Sequence, residues 1–373
     1  MLSRKEFLEK MGTCALGFAA LGTTFGSGCS SRAESKVTLK EALFYRKLDK
    51  KAVQCVLCPW KCKLTDGAVG ACRVRKNIGG KLYSLVYGKP VAIHVDPIEK
   101  KPLYHFLPGV KAYSLATAGC NLRCVFCQNW EISQASPGDV PEYNGSPETI
   151  VNKAKSRKIP VIACTYTEPV VFSEYMRDIA LLGGKNNIKT VMISAGFINT
   201  APLKELCKVL SGIKIDLKGF TDSFYRDLTG GRLKPVLNTL MTIKKQGVWL
   251  EIVNLVIPGK NDSTKEIKKM CAWIKRNLGD DTPIHFTRFI PMYKLKNIPP
   301  TPGKTLEKAR IIAIKEGLKY VYVGNIPGHP ANHTYCPKCG TLLIKRMGYS
   351  VREINFKNGK CMKCGTHISG VWK

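Results

Sequence analysis

The stretch Ala116–Ser133, "ATAGCNLRCVFCQNWEIS", places Cys120, Cys124 and Cys127 within eight residues, with gaps of three and two residues between them. A zinc site closed by protein takes four ligands. A 4Fe-4S cubane held only by protein takes four thiolates, one per iron. Three thiolates leave one iron open, and an open iron can bind a substrate. The C-x-x-x-C-x-x-C spacing, with Phe126 just before the last cysteine, therefore points to an iron–sulfur cluster used for chemistry. A zinc knuckle completed by a distant fourth ligand is the alternative.

Around this stretch the chain alternates short apolar runs with helical ones. Strands are predicted at "AYSLATAG", "PVIACTY", "IKTVMIS", "IKIDLKG", "VWLEIVNLV", "PIHFTRFI" and "KYVYVG". Helices are predicted near Thr149–Arg157, Val170–Leu182, Leu203–Leu210, Leu233–Gln246, Thr264–Leu278 and Leu306–Glu316. Such repetition argues for a parallel sheet buried on both faces. About six strand–helix units in roughly 210 residues suggest an α/β fold with a partial (β/α)6-type TIM barrel, whose chemistry belongs at the C-terminal ends of the strands. Polar residues lie where that rule wants them. The first strand runs into the three cysteines, and Glu168, Ser194, Asp216, Lys218, Asn254, His285 and Arg288 sit on or after the later ones.

The chain has sixteen cysteines, and eleven fall into three tight groups, which reads as metal ligation rather than disulfides. Cys55, Cys58, Cys62 and Cys72 have gaps of two, three and nine residues and form a closed site for zinc or a second iron–sulfur cluster. "CPKC" (Cys336, Cys339) and "CMKC" (Cys361, Cys364), 21 residues apart and each followed by a glycine, have zinc-ribbon spacing. Cys164, Cys207 and Cys271 read as buried core thiols. Four segments result: a leader at 1–31, an N-terminal cysteine-rich metal-binding segment at 35–110 opening with a short charged helix over Ser35–Lys51, the barrel at 111–325, and the ribbon at 330–373.

The leader has a basic start and no charged residue from Met11 to Ser31, a signal-peptide profile rather than a membrane span. "SRKEFL" is similar to a twin-arginine signal with Lys5 in place of the second arginine. In "GSGC", ending at Cys29, Gly26 stands where a lipobox has leucine. Export or membrane attachment through the leader is expected. A cytoplasmic location is the alternative, since an oxidising compartment does not suit reduced clusters. The net charge of +32 admits nucleic acid, an anionic membrane or an acidic partner. Lysine runs such as "NKAKSRK" and "KEIKKMCAWIKR" instead read as outer faces of amphipathic helices. No basic stripe is interleaved with aromatics as single-strand nucleic-acid binding favours, so nucleic acid is not the expected partner.

The triad, "TEP" after the second strand, "DLK" on the fourth and "VIPGKND" after the fifth resemble the radical S-adenosylmethionine superfamily, in the branch of the pyruvate formate-lyase activating enzymes. More narrowly, "CPWKCKLTDGAVGACRVRKN", "GCNLRCVFCQNWEISQ", "CTYTEP", "HFTRFIPMY" and "GNIPGHPANHTYCPKCG" resemble the AmmeMemoRadiSam system radical SAM enzymes, a likeness that covers roughly Leu39–Lys373. The resemblance implies a 4Fe-4S cluster on Cys120, Cys124 and Cys127. Its open iron chelates S-adenosylmethionine, and its electron splits that cofactor into methionine and a 5′-deoxyadenosyl radical. By position, Thr167 and Glu168 stand where the superfamily orients the methionyl amino group, although the two glycines usual there are lacking. Ser194, Asp216 and Lys218 face the ribose or carboxylate, Asn254 closes the fifth strand beside them, Ile257 flanks adenine, and His285 touches the cofactor. A low-potential donor of ferredoxin or flavodoxin type is the implied partner, and the substrate that loses hydrogen is a protein, from the same gene system, or a small molecule. An RNA-modifying enzyme and a non-catalytic iron–sulfur electron carrier or binding protein are the competing readings.

Overall fold

The computed structural model describes residues 39–373, so the expected leader, with Cys14 and Cys29, lies outside the described residues. Over 39–51 the charged run is not helical. It forms strands β1 (Lys40–Glu41) and β2 (Tyr45–Lys47). Leu39 and Leu43 would be the apolar face of the expected helix, yet both are exposed, and the backbone pairs with strands further along. Strands β3 (Val53–Cys55), β4 (Lys63–Leu64), β5 (Arg75–Ile78) and β6 (Lys81–Ser84) complete two small antiparallel sheets, ordered β2-β3-β4 and β1-β6-β5.

The core is an eight-stranded sheet that begins earlier than expected, at β7 (Pro90–Pro97), which pairs antiparallel with β8 (Lys111–Thr117). Strands β9 (Val161–Cys164), β10 (Lys189–Ser194), β11 (Gly212–Asp216), β12 (Trp249–Val256), β13 (Ile284–Arg288) and β14 (Val321–Gly324) follow in sequential order, each parallel to the last. All seven predicted strands are present. Their runs are apolar on both faces because both faces are covered. Val191, Met192, Ile213, Ile215, Ile252 and Phe286 are fully buried, each worth about 1.5–3 kcal/mol of transfer free energy.

Helices α1 (Trp130–Ser133), α2 (Pro147–Ser156), α3 (Ser173–Lys185), α4 (Thr200–Cys207), α5 (Leu233–Lys245), α6 (Thr264–Leu278) and α7 (Gly303–Lys315) lie between the strands. Their starts are chemically marked. Ser146 accepts the Thr149 N–H at 3.2 Å and Pro147 opens α2. Ser263 accepts the Glu266 N–H at 3.2 Å, the serine half of a capping box. The Glu266 carboxylate turns aside to accept the Phe220 N–H at 2.7 Å, which ties α6 to the loop after β11. Among the described residues no helix is long and apolar enough to cross a membrane.

Strands β15 (Thr334–Tyr335), β16 (Leu342–Met347), β17 (Ser350–Ile354), β18 (Phe356–Lys357) and β19 (Lys360–Cys361) form two small C-terminal antiparallel sheets. Arg346 on β16 is fully buried; it donates to Tyr104 O at 2.8 Å and lies over the Tyr104 ring at 4.0 Å. His105 Nδ1–H donates to Ser369 O at 2.7 Å, and its Nε2 lies 2.5 Å from Tyr322 Oη. A buried polar layer therefore joins this module to β14 and to the segment before β8.

Candidate active site

The loop that leaves β8 carries the triad, and its backbone is pinned from outside. Arg123 N–H donates to Thr229 O at 2.8 Å, Val125 N–H to Leu228 O at 3.0 Å, and Lys294 N–H to Val125 O at 2.9 Å. Gly119, just before Cys120, has φ +89°, and a Cβ there would stand 2.6 Å from Cys72 O and 2.5 Å from Val74 Cγ1. Only glycine fits that turn and that approach. Leu122 N–H donates to Cys120 Sγ at 3.3 Å, and Cys127 Sγ lies 3.2 Å from Ser133 Oγ.

All three thiols line one cavity of about 460 Å³ at the C-terminal ends of the strands. Thr165, Thr167 and Glu168 reach it from the loop after β9, Ala195 from the end of β10, Asp216 and Lys218 from β11, Leu255 from β12, Thr287 from β13 and Asn325 from beyond β14. Glu168 is buried, with Oε1 accepting from Ser194 Oγ at 2.6 Å and Oε2 from the Ala195 N–H at 2.9 Å. Burial pushes its pKa up, against those two donors and the Val170 N–H. Ser194 acts on the cavity through Glu168 rather than by lining it. Thr167 Oγ1 donates to Thr117 O at 2.9 Å.

Asp216 is paired with Lys214 and, at 3.2 Å, with Lys218. Burial raises its pKa, but the two ammonium groups outweigh it and bring it down to about 2. Burial lowers Lys218, but Asp216 and Cys124 hold it above its ordinary value. Lys218 Nζ also lies 5.8 Å from the centre of the Phe126 ring in the triad loop. Burial raises Cys124 to about 11 and Cys120 well above the ordinary thiol value, with Glu168 adding to the latter. Cys120 and Cys124 are thus held protonated as free thiols, and a metal is what would make them thiolates. Three convergent thiols with no fourth thiol in the cavity fit a cluster with one open iron.

Three expected contacts are corrected by position. His285 lies two residues before Thr287 on the same strand face, hence deeper; it sits 2.8 Å from Glu251 Oε2 and stacks on Tyr322. Burial lowers its pKa, against Glu251. Asn254 points away from its cavity-lining neighbours Val253 and Leu255 and donates to Leu217 O at 2.7 Å. Ile257 is buried beyond β12, outside the cavity lining, and its N–H donates to Asn261 Oδ1 at 2.6 Å. Arg288 turns out to Thr301 O at 3.1 Å.

The cavity also has walls that strand-end reasoning does not find. Lys101, buried, donates to Asp96 Oδ2 at 2.5 Å and to Tyr166 Oη at 3.2 Å. Burial lowers it to about 8 against the pull of Asp96. Tyr166, inside "CTYTEP", has φ +65°, a strained conformation for a bulky residue that clusters at functional sites. The Asn129 side chain donates to its carbonyl at 2.9 Å, which joins the triad loop to the Glu168 loop. Tyr349 reaches the cavity from the turn between β16 and β17. The tyrosine at 166 was readable from its motif; Lys101 and Tyr349 come from remote segments and carry no local signal.

The four C-terminal thiols converge, with all four ligand atoms within 4.8 Å of one another. Cys336 and Cys364 sulfurs are 3.5 Å apart, and those of Cys339 and Cys361 3.7 Å. Cys55, Cys58 and Cys72 are buried and Cys62 partly so.

A family model described as the Radical SAM superfamily matches residues 114–271. An uncharacterized protein of Methanocaldococcus jannaschii is 46% identical over 335 residues, covering 89% of this chain and 100% of that one. A pyruvate formate-lyase-activating enzyme of Staphylococcus epidermidis is 25% identical over 241 residues, 59% of this chain and 92% of that one. Among solved structures, a radical SAM methyltransferase from Sphaerobacter thermophilus aligns with a TM-score of 0.47 and 12% identity over 58% of this chain and 67% of that one. Triad, cavity and relatives agree: the chain belongs to the radical S-adenosylmethionine superfamily, in its activating-enzyme-like branch, and is a radical SAM enzyme of the kind that uses a 4Fe-4S cluster and S-adenosylmethionine.

Proposed function

We propose that Cys120, Cys124 and Cys127 hold the catalytic 4Fe-4S cluster and that the cavity they line receives S-adenosylmethionine beside a substrate that loses hydrogen. Bound there, cluster and cofactor supply one-electron cleavage of the sulfur–C5′ bond to methionine and a 5′-deoxyadenosyl radical. The protein's part is orientation and exclusion of water. Glu168, braced by Ser194 and the Ala195 N–H, offers a carboxylate to an ammonium group. Lys218, fixed by Asp216, offers a cation to a carboxylate. Thr167 faces the same space. The sheet is read as an incomplete barrel, since its strand ends share one cavity, and the C-terminal quartet as a zinc ribbon, since its sulfurs stand as a tetrahedral ion needs.

The observation that carries this reading is the meeting of three thiols with Glu168, Asp216 and Lys218 around one cavity. Anaerobically reconstituted protein with dithionite should turn S-adenosylmethionine into 5′-deoxyadenosine, and Cys124→Ala should lower the yield to background, read by liquid chromatography. Continued production by that variant would remove the triad from its role. The motif likeness to the AmmeMemoRadiSam enzymes supports a low-potential flavodoxin- or ferredoxin-type donor and a protein substrate from the same gene system. The twin-arginine-like leader supports export or membrane attachment.

A further inference from the structure

We propose that Cys55, Cys58, Cys62 and Cys72 hold a second iron–sulfur cubane, placed against the triad loop as a one-electron relay; the relay role rests on the triad reading above. The metal class follows from sulfur spacing. A zinc–sulfur bond of about 2.3 Å sets neighbouring thiolates of a tetrahedral site roughly 3.8 Å apart. The C-terminal quartet meets that separation at 3.5 and 3.7 Å. Among the described residues it is the one group of three or more ligand atoms gathered within 4.8 Å, so no three sulfurs of the N-terminal quartet come so close. The three triad sulfurs do not come so close either. A cubane binds each thiolate to a different iron, which holds the sulfurs further apart.

Two of the N-terminal sulfurs nevertheless flank one point, and the backbone ties a third cysteine to them. Cys55 N–H donates to Cys62 O at 2.9 Å, and a Cβ on Gly70 would stand 3.9 Å from both Cys62 Sγ and Cys72 Sγ. A buried cation stands beside it. Arg75 is held by Glu174 and Ser173. Its buried Nε–H has no protein partner. Glu174 supplies the countercharge, and an anionic cluster would give the Nε–H a stronger acceptor than a neutral thiol offers.

Contact with the triad loop is direct at three points. The carbonyl of Asn121, between Cys120 and Cys124, accepts the Trp60 Nε1–H at 2.6 Å. The Arg123 guanidinium donates to Cys120 O at 2.9 Å and also to Ala71 O. Gly119 packs its bare Cα against Cys72 O. A zinc that only staples a small sheet has no need of this junction. The outer side reaches solvent, with Cys62 partly exposed and Trp60 exposed beneath the Arg232 guanidinium. One electron from a low-potential one-electron donor enters on that side and leaves toward the triad. No bond is made or broken at the quartet, and the electron is consumed in cleaving the sulfur–C5′ bond.

Iron, zinc and Mössbauer measurements on anaerobically reconstituted protein test this without an activity assay. Wild type should hold about eight irons and about one zinc per chain, and Cys120→Ala/Cys124→Ala/Cys127→Ala about four irons. In that variant the dithionite-reduced electron paramagnetic resonance signal should not respond to S-adenosylmethionine, because its cluster has no open iron. The complementary Cys58→Ser/Cys62→Ser variant should also keep about four irons, with a signal that does respond. A triad variant free of iron, with wild type holding about two zincs, overturns the proposal and leaves the triad reading intact. Retention of the full wild-type iron content by the triad variant does the reverse.

Discussion

The C-terminal and N-terminal quartets carry the same number of thiols, and each opens on Cys-x-x-Cys, yet they fold into different spaces. At the C-terminus two equal knuckles face each other. Gly340 at φ +69° and Gly365 at φ +70° let the chain turn, and their N–H groups close on Cys336 O at 2.9 Å and Cys361 O at 2.8 Å. Thr341 and Thr366 place hydroxyls 3.2 and 3.1 Å from the Cys339 and Cys364 sulfurs. The Thr341 hydroxyl and N–H lower the Cys339 thiol to about 6. At the N-terminus the gaps are unequal, the turns run through Lys61 and Arg73 at positive φ, and burial raises Cys58 to about 12. Equal knuckles converge their sulfurs on a point; unequal gaps spread theirs around a volume.

The largest effect should come from breaking the narrow site. Cys361→Ser should abolish the zinc binding proposed there and cost several kcal/mol, because metal binding at such a site is folding free energy. Thermal unfolding with zinc analysis checks it. Iron content should be untouched, and its loss would join the two ends of the molecule that the comparison separates. Next comes Gly119→Ala, where a Cβ must occupy the 2.6 Å gap to Cys72 O at φ +89°. The backbone penalty and the clash together should cost about 3 kcal/mol. Iron should fall in both cysteine groups at once while zinc stays. Loss confined to the triad would show that the quartet does not depend on this junction.

Much of this was legible in the chain, for physical reasons. The strands from 111 onward are buried on both faces, so their apolar runs are continuous and hard to mistake. The rule that polar residues collect at strand ends located the cavity through Glu168, Asp216 and Lys218. It failed at His285 because a period of two residues tells which face a side chain takes but not how deep it lies. It missed Lys101 because that residue precedes the first parallel strand and enters through its pairing with Asp96, itself on the antiparallel edge strand β7. The misread segment at 39–51 shows charge spacing losing to strand pairing: a helix there would leave the edges of β6 and β3 uncovered.

The smallest effect contrasts charge with metal. If the narrow site is held by an ion, the triad side is held partly by Asp216 between Lys214 and Lys218. The Asp216 carboxyl titrates at about 2 in the fold against 3.8 ordinarily. Between those values the native state binds fewer protons than the unfolded chain. Its stabilisation is therefore complete above the ordinary value and is lost as pH falls through the folded one. The size is roughly 2 kcal/mol. Asp216→Asn should lower stability by about that amount at pH 6, with the gap to wild type closing as pH approaches 2, read from denaturant midpoints. A zinc chelator should not change that gap. A gap that persists at low pH would mean that Asp216 holds the triad wall by packing and hydrogen bonding rather than by charge.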